Sequence, residues 1–190
     1  MWTQKHVLDH ARQLLIEQGP AGMTFSALAA RAEVARQTLY RYWDGPEAPV
    51  GDLVRRRDLT LTETPREARE ALRSYLVDLR ETLADPAIAP AIGMLMAGAE
   101  HNGAAARALQ DVVAVRLAWL NDQLSGLRPP LDEDEFATLT GPLVYARLCA
   151  RRDISDHLID GTVDAICRSA VRGVVENGDP APHAADAGEP

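Results

Sequence analysis

Apolar positions recur with a helical period almost from the first residue of this chain. In "TQKHVLDHARQLLIEQG" Val7, Leu8, Ala11, Leu14 and Leu15 fall at i, i+1, i+4, i+7 and i+8, one face of a helix. Thr3 is placed to cap its start and Gly19 to stop it. "MTFSALAARA" repeats the stripe through Phe25, Leu28, Ala29 and Ala32 behind the cap residue Thr24. A third short helix is expected from about Ala35 to Trp43, followed by a loop, "DGPEAPVGD". The helix "LVRRRDLTLTET" should stop or bend at Thr64-Pro65.

Pro65 sits at the first turn of "PREAREALRSYLVDLRETLAD", and Pro86 and Pro90 open "PAIAPAIGMLMAGAEHN". A long helix covers "AAARALQDVVAVRLAWLNDQLSGL". The acidic run Asp132–Glu135 starts the next helix, which should reach about Arg152, because carboxylates favour the positive end of a helix dipole. "SDHLIDGTVDAICRSAVRGVVEN" forms the last helix. No segment alternates with period two, so the fold class is all-α, with a three-helix unit over 1–48 and a helical body over 49–176. Residues 177–190, rich in Gly, Pro, Ala and Asp, are expected to be disordered.

Charge also differs between the first and second parts of the chain, with the change near residue 57. Residues 1–57 hold 8 Lys and Arg against 6 Asp and Glu, whereas residues 58–190 hold 12 against 22. A mildly basic first part and a strongly acidic second part imply two regions with different partners, and the net negative charge argues against coating nucleic acid with the whole surface. No segment reaches the ~18 apolar residues of a membrane span. "MWTQKHVLDH" has no long apolar run, so neither a signal nor an anchor is expected. Cys149 and Cys167, in apolar-periodic segments, read as reduced, buried thiols of a cytoplasmic protein.

Two short helices joined by a tight turn behind a longer one are the parts of a helix-turn-helix. On the third helix Leu39, Tyr42 and Trp43 fall on one side and should pack inward. Arg36, Gln37, Tyr40 and Arg41 fall on the other. That outer face is either a solvated bundle surface or a surface for DNA. Arginine forks onto guanine edges or phosphates, glutamine matches adenine edges, and a tyrosine hydroxyl bonds phosphate.

"VLDHARQLLIEQGPAGMTFSALAARAEVARQTLYRYW" resembles the DNA-binding domain of the tetracycline-repressor (TetR) family. The matching positions are Ala11, Leu15, Gly19, Thr24, Leu28, Ala29, Ala32, Val34, Thr38, Leu39, Tyr40, Tyr42 and Trp43. The resemblance implies that Thr24 and Tyr40 touch phosphates, that Arg36, Gln37, Thr38 and Arg41 meet the major groove, and that Tyr42 meets the backbone. Three positions depart from the family pattern. Glu33 replaces the turn glycine and its easy positive φ, Ala35 replaces a capping serine, and Pro46 stands near an expected phosphate-binding lysine. Arg41 with Arg55, Arg56 and Arg57 is expected to take over part of that backbone contact.

In such a fold the middle helices surround a small-molecule cavity. Tyr75, Met94, Met96, His101, Arg116, Trp119, Phe136 and Tyr145 are the pocket candidates, although a Met/Trp stripe at this spacing is also plain core. The apolar stripe of the last two helices runs through Phe136, Leu139, Leu143 and Leu148, then Ile159, Val163, Ile166, Ala170 and Val174. Paired with a second copy it would make a four-helix dimer seam. The expectation is a homodimeric repressor that binds a palindromic operator in double-stranded DNA and is released by a small-molecule effector. The alternative is a small-molecule-binding protein of the same fold that has lost its operator. No nucleophile elbow, triad spacing or phosphate loop suggests an enzyme, and no cofactor is implied. His6, Asp9 and His10 share a helix face, but with no third strong ligand they are not read as a metal site.

Overall fold

The computed structural model describes residues 3–55 and 65–176, with side chains described as far as 168. The expected tail 177–190, Arg56, Arg57 and the side chains of Ala170 and Val174 lie outside the described residues. The helices are α1 (Gln4–Gly22), α2 (Phe25–Arg31), α3 (Arg36–Tyr42), α4 (Glu47–Arg55), α5 (Ala68–Ala84), α6 (Ile88–Ala99), α7 (Gly103–Gln123), α8 (Glu133–Val144) and α9 (Asp156–Glu176). A π-helical turn, Tyr145–Cys149, continues α8. Among the described residues there is no strand.

Side chains set the helix starts. The Thr3 and Thr24 hydroxyls accept from the N–H groups of His6 and Ala27. Asn102 Oδ1 accepts from Ala104 N at 2.9 Å. Asp132 and Glu135 form a reciprocal capping box, which satisfies two amide donors at the start of α8. Gly19 ends the regular part of α1 with φ +67°, and Pro20–Gly22 adds one further turn.

Three expectations need correction. The segment read as a loop, "DGPEAPVGD", is mostly α4, and only Asp44–Pro46 turn. Pro49 lies in the first helical turn, where no intrahelical N–H donor is required. Gly51 lies where a Cβ would stand 2.6 Å from the Cβ of Ala108, so glycine lets α4 press on α7. The 48/49 boundary thus cuts the first turn of α4. Pro65 precedes α5 by three residues rather than opening it.

The cores do not follow the chain order. One joins α1–α4 to α6 and the first half of α7, through Leu15, Leu28, Leu39, Val50, Leu95 and Val112 among others. The other joins α5, the second half of α7, α8 and α9. Ile92 on α6 packs against both. The head therefore shares a continuous core with the helices beneath it. Across the second core, Arg69, Arg73 and Arg80 on α5 pair with Asp164, Asp160 and Asp156 on α9, which fixes an antiparallel register.

The third correction concerns the dimer stripe. Leu139, Leu143, Ile159, Val163 and Ile166 are at most 1% exposed in the single chain, and Phe136 is buried beside them. An apolar helix stripe packs first against whatever its own chain offers, and here α5 and α7 supply that surface. In the single chain these side chains are therefore core, not exposed surface. The outward faces of α8 and α9 carry Ala137, Thr138, Gly141, Tyr145 and Gly161 instead.

Candidate nucleic-acid interface

α2 and α3 meet at a turn built by backbone geometry. Ala32 N donates to Leu28 O and Val34 N to Ala29 O, closing the end of α2 around a left-handed residue. That residue is Glu33, at φ +53°. The turn keeps the conformation that a glycine would supply, and the side chain bears the strain. His6 on α1 braces the same turn, with Nε2 3.2 Å from the Ala32 carbonyl. Its ring meets His10 edge-on at 4.6 Å.

α1 and α2 are stitched by Arg31, whose two terminal nitrogens donate to both Glu17 oxygens at 2.6 Å. Hydrogen bonding from Arg31 holds the Glu17 carboxyl below its usual range, against a smaller opposing effect of burial. Arg31 is therefore committed inside the head.

α3 is anchored by Leu39, with no exposed surface, and by Trp43, 5% exposed. Trp43 Nε1 donates to Asp52 Oδ2 on α4 at 3.0 Å. No side chain caps the start of α3, as the Ala35 substitution implied. With those anchors inward, Arg36, Gln37, Tyr40 and Arg41 stand exposed and Thr38 is half-buried. Tyr40 is 54% exposed, with its ring edge-on to Phe25 at 4.9 Å. Tyr42, expected to pack inward, is 46% exposed instead. It is the last helical residue, and its ring lies under the Arg41 guanidinium at 5.0 Å. Arg41 also donates to its hydroxyl at 3.2 Å. Thr24 stays exposed while capping α2.

The structure thus gathers Thr24, Arg36, Gln37, Thr38, Tyr40, Arg41 and Tyr42 on the α2–α3 unit. Arg55 does not join them: it pairs with Asp52 and reaches Asp111 on α7 at 3.8 Å. The chain Trp43–Asp52–Arg55–Asp111 joins α3 to the body, and nothing in the sequence spacing of these four residues announced it.

The eight pocket candidates separate. Tyr75, Trp119 and Phe136 cluster, with ring centroids 6.2 and 6.0 Å from Tyr75. Arg116, only 7% exposed, lies beside them. Burial pushes the Tyr75 hydroxyl up to about 12, against a lowering by Arg116. Tyr75 Oη, Thr82 Oγ1 and Arg116 Nη1 are buried without a hydrogen-bond partner among the described residues. Met94 packs on the first core. Met96 and Tyr145 lie at the surface, 44% and 61% exposed, and His101 is exposed at the α6–α7 turn.

Residues 7–48 match the sequence profile of bacterial regulatory proteins of the tetR family. No curated protein matches the chain. Among solved structures, one described as a transcriptional regulator from Pseudomonas aeruginosa PAO1 superposes with a TM-score of 0.61 at 17% identity, covering 91% of this chain and 92% of that one. A TetR transcriptional regulator from Rhodococcus sp. RHA1 gives 0.61 at 20% identity, covering 88% and 94%. One described as a TetR-family transcriptional regulator from Mesorhizobium loti MAFF303099 gives 0.55 at 15% identity, covering 90% and 95%. The chain resembles this family by sequence in its head and by fold over nearly its whole length.

Proposed function

We propose that this protein is a DNA-binding transcriptional repressor, with a DNA-reading head of α1–α3 and an effector-binding, dimer-forming body that begins at α4. The observation that carries the reading is the division of α3. Leu39 and Trp43 lock one side into the core, while Arg36, Gln37, Tyr40 and Arg41 stand out from the other. In a major groove Arg36, Gln37, Thr38 and Arg41 reach base edges, and Thr24, Tyr40 and Tyr42 place hydroxyls at phosphates. The family match at 7–48 supports the same assignment.

Two heads on a two-fold axis read a palindromic operator as a homodimer, through the outward faces of α8 and α9. A small molecule received at the Tyr75, Arg116, Trp119 and Phe136 cluster shifts the population between head spacings. What supports that receptor is a set of buried polar groups, Tyr75 Oη, Thr82 Oγ1 and Arg116 Nη1, left without a hydrogen-bond partner among the described residues. No single helix among the described residues is long and apolar enough to cross a membrane, and a cytoplasmic regulator fits that composition. A second reading, the same fold without operator binding, is favoured by the exposed Glu33 carboxylate and the uncapped start of α3.

Anisotropy titration against DNA flanking the protein's own gene separates the two readings. Arg36→Ala and Arg41→Ala are expected to weaken binding by ~1–3 kcal/mol each with unchanged melting. Leu39→Ala is expected to destabilise the head by ~2–5 kcal/mol. Specific binding unaffected by either arginine would overturn the DNA-reading assignment of α3, and no specific binding at all would favour the second reading.

A further inference from the structure

A second concavity lies apart from the central cluster, where head and body meet. It encloses ≈ 530 Å³ between the last turn of α1 at Pro20, the α5–α6 turn, the first turns of α6 and the π-helical turn after α8. Its apolar floor is Pro86, Ala89 and Pro90, opened by Gly93, where an added Cβ would meet nothing within 4 Å. Arg147 and Arg151 line the other wall.

Arg147 is held in place, Arg151 is exposed at the rim, and neither is ion-paired among the described residues. Arg147 is half-buried and donates Nε to the Leu83 carbonyl at 3.1 Å, which leaves its terminal nitrogens for the cleft. Arg151 occupies a left-handed backbone position, φ +55°, where glycine would be the unstrained choice. The one carboxylate in the wall, Asp85, is already engaged by Arg12 at 2.9 Å and by Ala87 N at 2.8 Å. The cleft therefore presents two guanidinium forks over an apolar floor, on a body whose overall charge is acidic.

We propose that this cleft binds a small amphipathic carboxylate, held by Arg147 and Arg151 with its apolar part on the proline floor beside Gly93. The volume falls in the range of small-molecule sites. Planar guanidinium forks match a carboxylate. A phosphate is a poorer match, because backbone donors are lacking: Pro86 and Pro90 have no N–H, and Ala87 N and Ala89 N are bonded to Asp85. An occupant touches α1, α6 and the π-helical turn together, so it bears on how the head sits on the body.

The test is titration calorimetry of the full chain, with no DNA present, against benzoate and hexanoate and their neutral counterparts benzamide and hexanamide. The wild type is expected to bind the carboxylates in preference to the amides. Arg151→Gly removes one fork and relieves the left-handed backbone, so it should melt at or above the wild-type temperature while carboxylate affinity falls roughly tenfold or more. Gly93→Phe fills the floor without a backbone clash and should abolish binding in a folded protein. The proposal is overturned if no carboxylate binds, if the amides bind equally well, or if Arg151→Gly or Gly93→Phe binds as the wild type does. Since the titration contains no DNA, a failure of operator binding would leave its result unchanged.

Discussion

The indole N–H of Trp43, just past the end of α3, is donated to Oδ2 of Asp52 on α4 across 3.0 Å. The other Asp52 oxygen accepts from Arg55, which turns toward Asp111 on α7. A single carboxylate therefore holds the end of α3 to α4 and, through Arg55, to α7. Asp52→Ala leaves the buried indole donor unpaired and is expected to destabilise the protein by ~1–3 kcal/mol. Asp52→Asn keeps an acceptor for Trp43 but loses the charge that Arg55 meets, and should cost less. Urea denaturation of both variants checks the order; equal losses would show that the Trp43 bond contributes nothing.

Glu33 combines two costs that can be separated. Its backbone is left-handed at φ +53°, and its exposed carboxylate stands just before α3. Glu33→Gly relieves the strain, offset in part by the greater freedom glycine gives the unfolded chain, for a net gain of up to ~1 kcal/mol. Glu33→Gln removes only the charge, so it should leave melting unchanged while tightening DNA binding. Stability that rises equally in both variants would trace the cost to charge rather than to the backbone.

Most of the helices were legible because their signals are local. Thr3 and Thr24 cap where the stripes begin, and the Asp132–Glu135 run becomes a capping box. α4 was not legible, because Pro49 and Gly51 look like chain breakers. A proline is harmless in a first turn, and Gly51 answers to Ala108, a contact with a residue 57 positions away in sequence. The α8–α9 stripe was legible as apolar but not as to its partner, since periodicity cannot tell a chain's own core from a second copy. Tyr42 shows the same limit at smaller scale. The helical wheel places it with Leu39 and Trp43, yet at the helix end its ring turns out under Arg41. The outer face of α3 was readable because Leu39 and Trp43 fix its rotation.

The dimer seam can be tested without touching the core. Gly141 and Gly161 lie exposed on the outward faces of α8 and α9, and an added Cβ meets nothing within 4 Å at either. Gly141→Arg and Gly161→Arg should therefore keep the single chain folded while separating a dimer built on these faces. Ile166→Asp, by contrast, places a charge in the second core and should unfold it. Sedimentation velocity with circular dichroism distinguishes the two effects. Dimers unchanged by both arginine substitutions would place the seam elsewhere.

Tyr75 gives the body an alkaline signature. Its ring packs with Trp119 and Phe136, and no part of the residue is exposed. Burial raises its hydroxyl to about 12, the neighbouring Arg116 pulling the other way. The unfolded chain ionises this group near ~10, so the folded state retains the proton over a range in which the unfolded state loses it. For an acid with a raised folded value, stability is fully present below the unfolded value and declines as pH rises through ~10 toward the folded value. The loss approaches ~2–3 kcal/mol for a shift of this size. Tyr75→Phe removes the titration and also the buried hydroxyl, which has no hydrogen-bond partner among the described residues. At neutral pH the variant should be as stable as the wild type or slightly more so. Between about pH 9 and 12 the stability of the wild type should fall relative to that of the variant, the difference following one proton. Urea melts of both proteins across that range measure the gap directly. A constant difference at every pH would mean that the hydroxyl reaches water in the folded protein and that the cluster around Tyr75 is open to solvent.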